Sequence, residues 1–215
     1  MKKAINLNLW GQTDMNQTVS KVGAAIVTIS VLMFAICMVI PFDFGSYFVC
    51  IFLSIGYVIM SAGFWNESDG DHKTAATAGI IFTAIYAVII MLVYFTQTTT
   101  VMNESLNAQA DLLLNYSKGS LMFNYDLLGY GIMALSTFFL GLSFVPKTKV
   151  DKWLKALLTI HGVFFIGCLI MPMTGVFTSM NSGETSIGGV IALEFWCAYF
   201  IPVGILSFIH FNRER

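Results

Sequence analysis

Six long apolar runs dominate the chain and leave it few ways to fold. They cover approximately Val19–Ile40, Tyr47–Trp65, Thr74–Phe95, Leu127–Val145, Trp153–Phe177 and Ile187–Phe211. Each is close to the roughly 20 residues that an α-helix needs to cross a hydrocarbon layer of about 30 Å. Composition excludes the alternative of buried helices in a water-soluble domain. Of the 215 residues, 57% are hydrophobic and only 11% are charged, with a mean hydropathy of +0.77, whereas a soluble domain carries about 25% charged residues. The sequence therefore predicts an all-α integral membrane protein, a single bundle of six transmembrane helices over residues 19–212 behind a polar tail, residues 1–18. Lys2 and Lys3 precede a polar stretch and the first apolar run is too long for a signal-peptide core, so that run is expected to be the first span.

Basic residues orient the bundle. With the N-terminus in the cytoplasm, Lys2, Lys3, Lys21, Lys73, Lys147, Lys149, Lys152, Lys155, Arg213 and Arg215 share one side and Lys118 alone lies on the other. This asymmetry is expected to place both termini in the cytoplasm. The net charge of −1 and the lack of a basic run exclude a nucleic-acid partner. Cys37, Cys50, Cys168 and Cys197 all fall in apolar runs, without metal or disulfide spacing, and read as small hydrophobes.

Two connections stand out. Asn66–Lys73, NESDGDHK, has acids two apart beside His72 but lacks the twelve-residue calcium-loop pattern, and reads as a solvated turn. The long external connection, about 98–126, alternates Leu and Tyr with Asn, Gln and acids, which suits an amphipathic helix that lies on the membrane or covers a cavity.

Ionisable residues inside the spans are scarce, and intramembrane charge marks function by default. Glu194 lies about seven residues into the last span and His161 about eight into the fifth. These spans are antiparallel neighbours, so the two side chains either meet near mid-membrane or are satisfied separately by hydroxyls and carbonyls. Asp126 and Asp43 mark outer span ends and, with Glu104, Asp111 and Glu184, make the exterior acidic. Such a field favours a small cationic or zwitterionic ligand. Pro172 and Pro202 interrupt the fifth and sixth spans, which makes that pair the expected wall of an outward pocket, with Tyr130, Phe164, Phe165, Trp196 and Tyr199 as lining candidates. Met171, Met173 and Met180 with Cys168 are soft ligands, but their spacing on a helix does not favour a copper site. Small residues such as Ala75, Gly79, Gly129, Gly131, Gly188 and Gly189 suit close helix packing.

No HExxH, GxSxG or Walker loop occurs, no catalytic residue or cofactor is indicated, and the two three-span halves show no repeat. The run YDLLGYGIMALSTFFLGLSFVP, the basic KWLK that follows, and Glu194 before Trp196 resemble a group of bacterial multi-helix membrane proteins that share a domain of unknown function. The resemblance covers the C-terminal half. It implies a bacterial plasma membrane and about six helices, and no activity. The leading expectation is a small-molecule binding or transport protein with Glu194, His161, Asp126, Tyr130, Trp196 and Tyr199 at its site. The alternative is a non-catalytic subunit or sensor that assembles with another membrane protein or with itself. A membrane enzyme using His161 and Glu194 as acid and base stands behind both.

Overall fold

The structure, a computed structural model, describes residues 10–103, 105–177 and 187–213. Among these residues there are eight α-helices and no strand: α1 (Trp10–Val39), α2 (Asp43–Glu67), α3 (Lys73–Thr96), α4 (Ala108–Leu114), α5 (Leu121–Ser143), α6 (Lys149–His161), α7 (Phe164–Met173) and α8 (Ile187–Phe211). Six helical stretches are long and apolar enough to cross a membrane, with α6 and α7 forming one of them. They follow one another around a closed ring. α1 packs on α2 and α8, α2 on α3, α3 on α5, α5 on both α6 and α7, and α6 on α8.

Both ends of the described chain meet at one end of this ring. Gln17 Nε2 donates to the Arg213 carbonyl at 3.5 Å and Lys21 Nζ to Asn212 Oδ1 at 3.2 Å. We call this the terminal end, and the opposite one, which carries the connection between α3 and α5, the loop end.

Small residues let the helix backbones approach. A Cβ on Gly79 would sit 2.8 Å from Leu140 Cγ, and one on Gly141 would sit 2.8 Å from the backbone nitrogen of Thr159. A backbone atom cannot swing aside, so Gly141→Val is expected to cost about 1–3 kcal/mol through forced separation of α5 and α6. Gly167 on α7 faces open space, with nothing within 4 Å of an added Cβ, so Gly167→Ala should be neutral or slightly stabilising. Thermal unfolding of the two purified variants checks the contrast. Equal midpoints would remove Gly141 from the packing argument.

Several boundaries differ from the sequence expectation. α1 already begins at Trp10, inside the expected tail. α5 begins at Leu121 rather than Leu127, because Ser120 caps it by accepting from the backbone N–H of Met122 at 3.1 Å and Phe123 at 3.4 Å. This puts Asp126 in the second turn of a helix instead of at its edge. The fifth span breaks at Gly162, not at Pro172. Gly162 and Val163 bond back three residues, to Thr159 and Ile160, and the tightened turn lays Gly162 against Phe138, whose Cβ would be 2.8 Å from an added Cβ. Pro172 sits in the last turn of α7, and α8 runs unbroken through Pro202.

The α3–α5 connection is folded. α3 continues as a π-helical turn, Gln97–Val101, and a 3₁₀ turn, Tyr116–Lys118, follows α4. Gln97, fully buried, stitches them together: its Nε2 donates to the Leu114 carbonyl at 2.8 Å and its Oε1 accepts from the Tyr116 N–H at 2.9 Å.

Candidate functional site

At the loop end, the Asp126 carboxyl is 2% exposed. Its Oδ2 accepts from the Tyr116 hydroxyl at 3.1 Å, while its Oδ1 is buried without a hydrogen-bond partner; the Tyr94 hydroxyl also lies close to the same carboxyl group. Tyr47 from the first turn of α2, Tyr94 from the last turn of α3 and Tyr116 from the 3₁₀ turn form a triangle, with ring centroids 5.8, 5.6 and 6.3 Å apart. Phe123 closes edge-on against Tyr116 at 5.1 Å. Burial, and next the Asp126 charge, push the Tyr116 phenol well above its ordinary pKa, so it acts as a donor. No basic side chain pairs with Asp126, because the ion pairs among the described residues all lie at the terminal end.

Deeper in the ring, four residues singled out from the sequence come together. Trp196 Nε1 donates to His161 Nε2 at 3.1 Å, and His161 Nδ1 lies 2.7 Å from Thr137 Oγ1. An indole nitrogen can only donate, so His161 Nε2 is the acceptor and the proton of the neutral ring sits on Nδ1. Thr137 Oγ1 then accepts a hydrogen bond from that N–H and donates its own to the Ala134 carbonyl at 2.9 Å. Tyr199 stacks on the imidazole at 5.7 Å and donates to the Leu157 carbonyl at 2.7 Å. Tyr130 meets Trp196 edge-on at 5.0 Å and points its hydroxyl at Cys50 Sγ, 3.6 Å away.

Glu194 does not join this group. It is half-buried on α8, and its Oε1 is enclosed without a hydrogen-bond partner. His161 is satisfied by a hydroxyl and an indole, which leaves neither ring nitrogen free for acid–base exchange with Glu194. Glu194 is also not the lone acid within the helices, since Asp126 lies inside α5 and is more deeply buried.

The terminal end holds a cluster that sequence reasoning missed. His210, in the last turn of α8, places Nε2 2.8 Å from Glu67 Oε2 and Nδ1 3.0 Å from Asp151 Oδ1. Arg213 Nη1 reaches the same Oδ1 at 2.8 Å, and the Asp151 Oδ2 accepts from the N–H groups of Lys147 at 3.1 Å and Thr148 at 2.9 Å. Thr148 and Asp151 form the capping box of α6. Phe64 stacks on the His210 ring at 6.0 Å, with Phe144 edge-on at 4.8 Å. A cleft of about 210 Å³ beside it is bordered by Glu67, Ser68, Asp69 and Lys147. The T-x-x-D cap was visible in the sequence. Three spans further carry Glu67, Asp151 and His210 to the same bundle end, and that alternation was the signal for their meeting. No group of three or more His, Cys, Asp or Glu among the described residues is arranged to hold a metal ion.

Comparison of the chain with protein-family models, curated proteins and solved structures returned no match.

Proposed function

We propose that the chain is a multi-pass membrane protein that binds or transports a small positively charged or zwitterionic molecule, which it meets at the loop end. One observation carries this reading. Two carboxylates in the loop-end half of an apolar bundle, Asp126 and Glu194, each keep a buried oxygen bare, and neither is in an ion pair among the described residues. A buried acid of this kind takes its compensating charge from outside the chain or stays neutral. Lipid surrounds the ring, the loop end faces outward, and both termini are cytoplasmic, in keeping with the ten-to-one placement of basic residues. By the resemblance of its C-terminal half, the membrane is a bacterial plasma membrane.

Sidedness and activity are tested separately. In intact cells, a cysteine placed at Ser117 should react with a membrane-impermeant maleimide and one at Asp69 should not; the reverse pattern would invert the bundle. In proteoliposomes, saturable binding or uptake of small cations but not of small anions is expected. Equal handling of both would contradict the reading.

A second reading, an accessory subunit, is favoured by α7. Lys149–Met173 is the least buried of the six long apolar stretches, and no residue of α7 is buried. A stoichiometric partner retained after extraction from native membranes would support it.

A further inference from the structure

The bare Oδ1 of Asp126 belongs to a carboxyl group set among aromatic rings. Tyr47 and Tyr94 are fixed on helices and lie within electrostatic reach of the carboxyl group. Tyr116 differs from both. It sits in a three-residue turn outside the α-helices, held there by the Gln97 side chain and by its hydroxyl on Asp126 Oδ2. Its phenol occupies the place of a hydrogen-bond donor or cation on the carboxyl group.

We propose that Asp126, Tyr47 and Tyr94 form a binding site for a small organic ammonium ion, with Tyr116 as a plug that the ligand displaces. The inference rests on the reading that an external positive charge meets Asp126; it adds the ligand class and the moving part. Three features select an ammonium ion. Ring faces attract a cation through their quadrupoles, and the attraction grows when water is excluded. Hard metal ions take six or more oxygen ligands, whereas the oxygens gathered here are one carboxyl group and the phenols of Tyr116 and Tyr94. A zwitterion would bring a carboxylate of its own beside Asp126, a charge that no ion pair among the described residues offsets. The positive group is compensated by Asp126 and its alkyl groups by the rings. Displacement of Tyr116 frees Oδ2 as well as Oδ1, so the ammonium ion gains both oxygens at the loss of one phenol bond.

The full chain in lipid nanodiscs is tested by calorimetry with tetramethylammonium, sodium and glycine betaine as separate probes. Tetramethylammonium should bind saturably and more tightly than either of the others. Tyr94→Phe keeps the ring and should stay within about threefold of the parent, whereas Tyr94→Leu removes it and should weaken binding by about tenfold. Tyr116→Phe loses the phenol bond that the ligand competes with and should bind about fivefold more tightly. Asp126→Asn should abolish binding, with a monodisperse elution profile confirming the fold of each variant. Equal losses for Phe and Leu at Tyr94, or tighter binding of sodium or glycine betaine, would overturn the aromatic site. If that binding still vanished in Asp126→Asn, the broader reading of Asp126 would stand. Absence of saturable tetramethylammonium binding would overturn the inference, and cation binding that persists in Asp126→Asn would overturn both.

Discussion

Asp126→Asn is expected to lower binding or uptake of small cations by about 30-fold or more while leaving the bundle as stable as the parent, or more so. Loss of one partner from a buried charge pair costs about 2–5 kcal/mol, and each 1.4 kcal/mol is tenfold in affinity. Stability runs the other way because Asp126 is 2% exposed and its Oδ1 has no partner. Asparagine keeps the shape and still accepts from Tyr116, but it carries no charge to bury. A residue kept for packing alone would show no loss of binding, so the opposite signs separate a ligand site from a structural one. Glu194→Gln should show the same pattern with a smaller amplitude, since Glu194 is less enclosed by the protein than Asp126. Paired thermal-unfolding and uptake measurements on the two variants read both signs. An Asp126→Asn variant that unfolds earlier and transports normally would reverse the assignment.

At the terminal end the expectation is inverted: Asp151→Ala should destabilise the protein by about 3–5 kcal/mol and leave ligand affinity unchanged. Asp151 is fully buried and receives four donors, the N–H groups of Lys147 and Thr148, the His210 ring and the Arg213 guanidinium. Truncation strands all four and leaves His210 against Glu67 alone, the case in which breaking a buried ionic group is most damaging. The Arg213 contact contributes least because its side chain is 30% exposed. Asp151→Asn retains an acceptor for the two backbone N–H groups and should lose less than the alanine variant. Thermal midpoints in one detergent order the three proteins; an alanine variant as stable as the parent would show that the cluster does not tie α2, α6 and α8 together.

The two ends of the bundle also mark what was legible in the sequence. Apolar runs announce spans because the cost of placing each residue in lipid is nearly additive along the chain, so six of them were plain. Helix starts and pairings are not additive. α5 begins early because Ser120 caps it, although Asn124 and Asp126 lower the local hydropathy and suggest a loop. The break at Gly162 lies within HGVFF, which reads as continuous apolar helix, and its glycine leaves the tightened turn room to lie against Phe138 of α5. Proline was the visible punctuation, yet a proline in the last turn of α7 leaves little helix beyond it to distort.

Partnership was the least legible. His161 and Glu194 invited pairing by depth alone, but the indole of Trp196 and the hydroxyl of Thr137 took both imidazole nitrogens first. His210 meets Glu67 across 143 residues and Asp151 across 59, and each looks in isolation like an ordinary polar residue at a span boundary. The Tyr116–Asp126 contact spans only ten residues. It was hidden because the connection was read as external loop up to Asp126 itself.

The proposed event at the loop end is the arrival of a positively charged ligand at Asp126 with displacement of Tyr116. It is tested most directly by solving the structure of the protein in lipid with a bromine-bearing trimethylammonium probe. The account predicts bromine and ammonium density beside Asp126, between Tyr47 and Tyr94, with the 3.1 Å contact from Tyr116 to Oδ2 broken. A probe-saturated structure in which Tyr116 still bonds to Asp126 and the bromine signal lies elsewhere, or is absent, would contradict it.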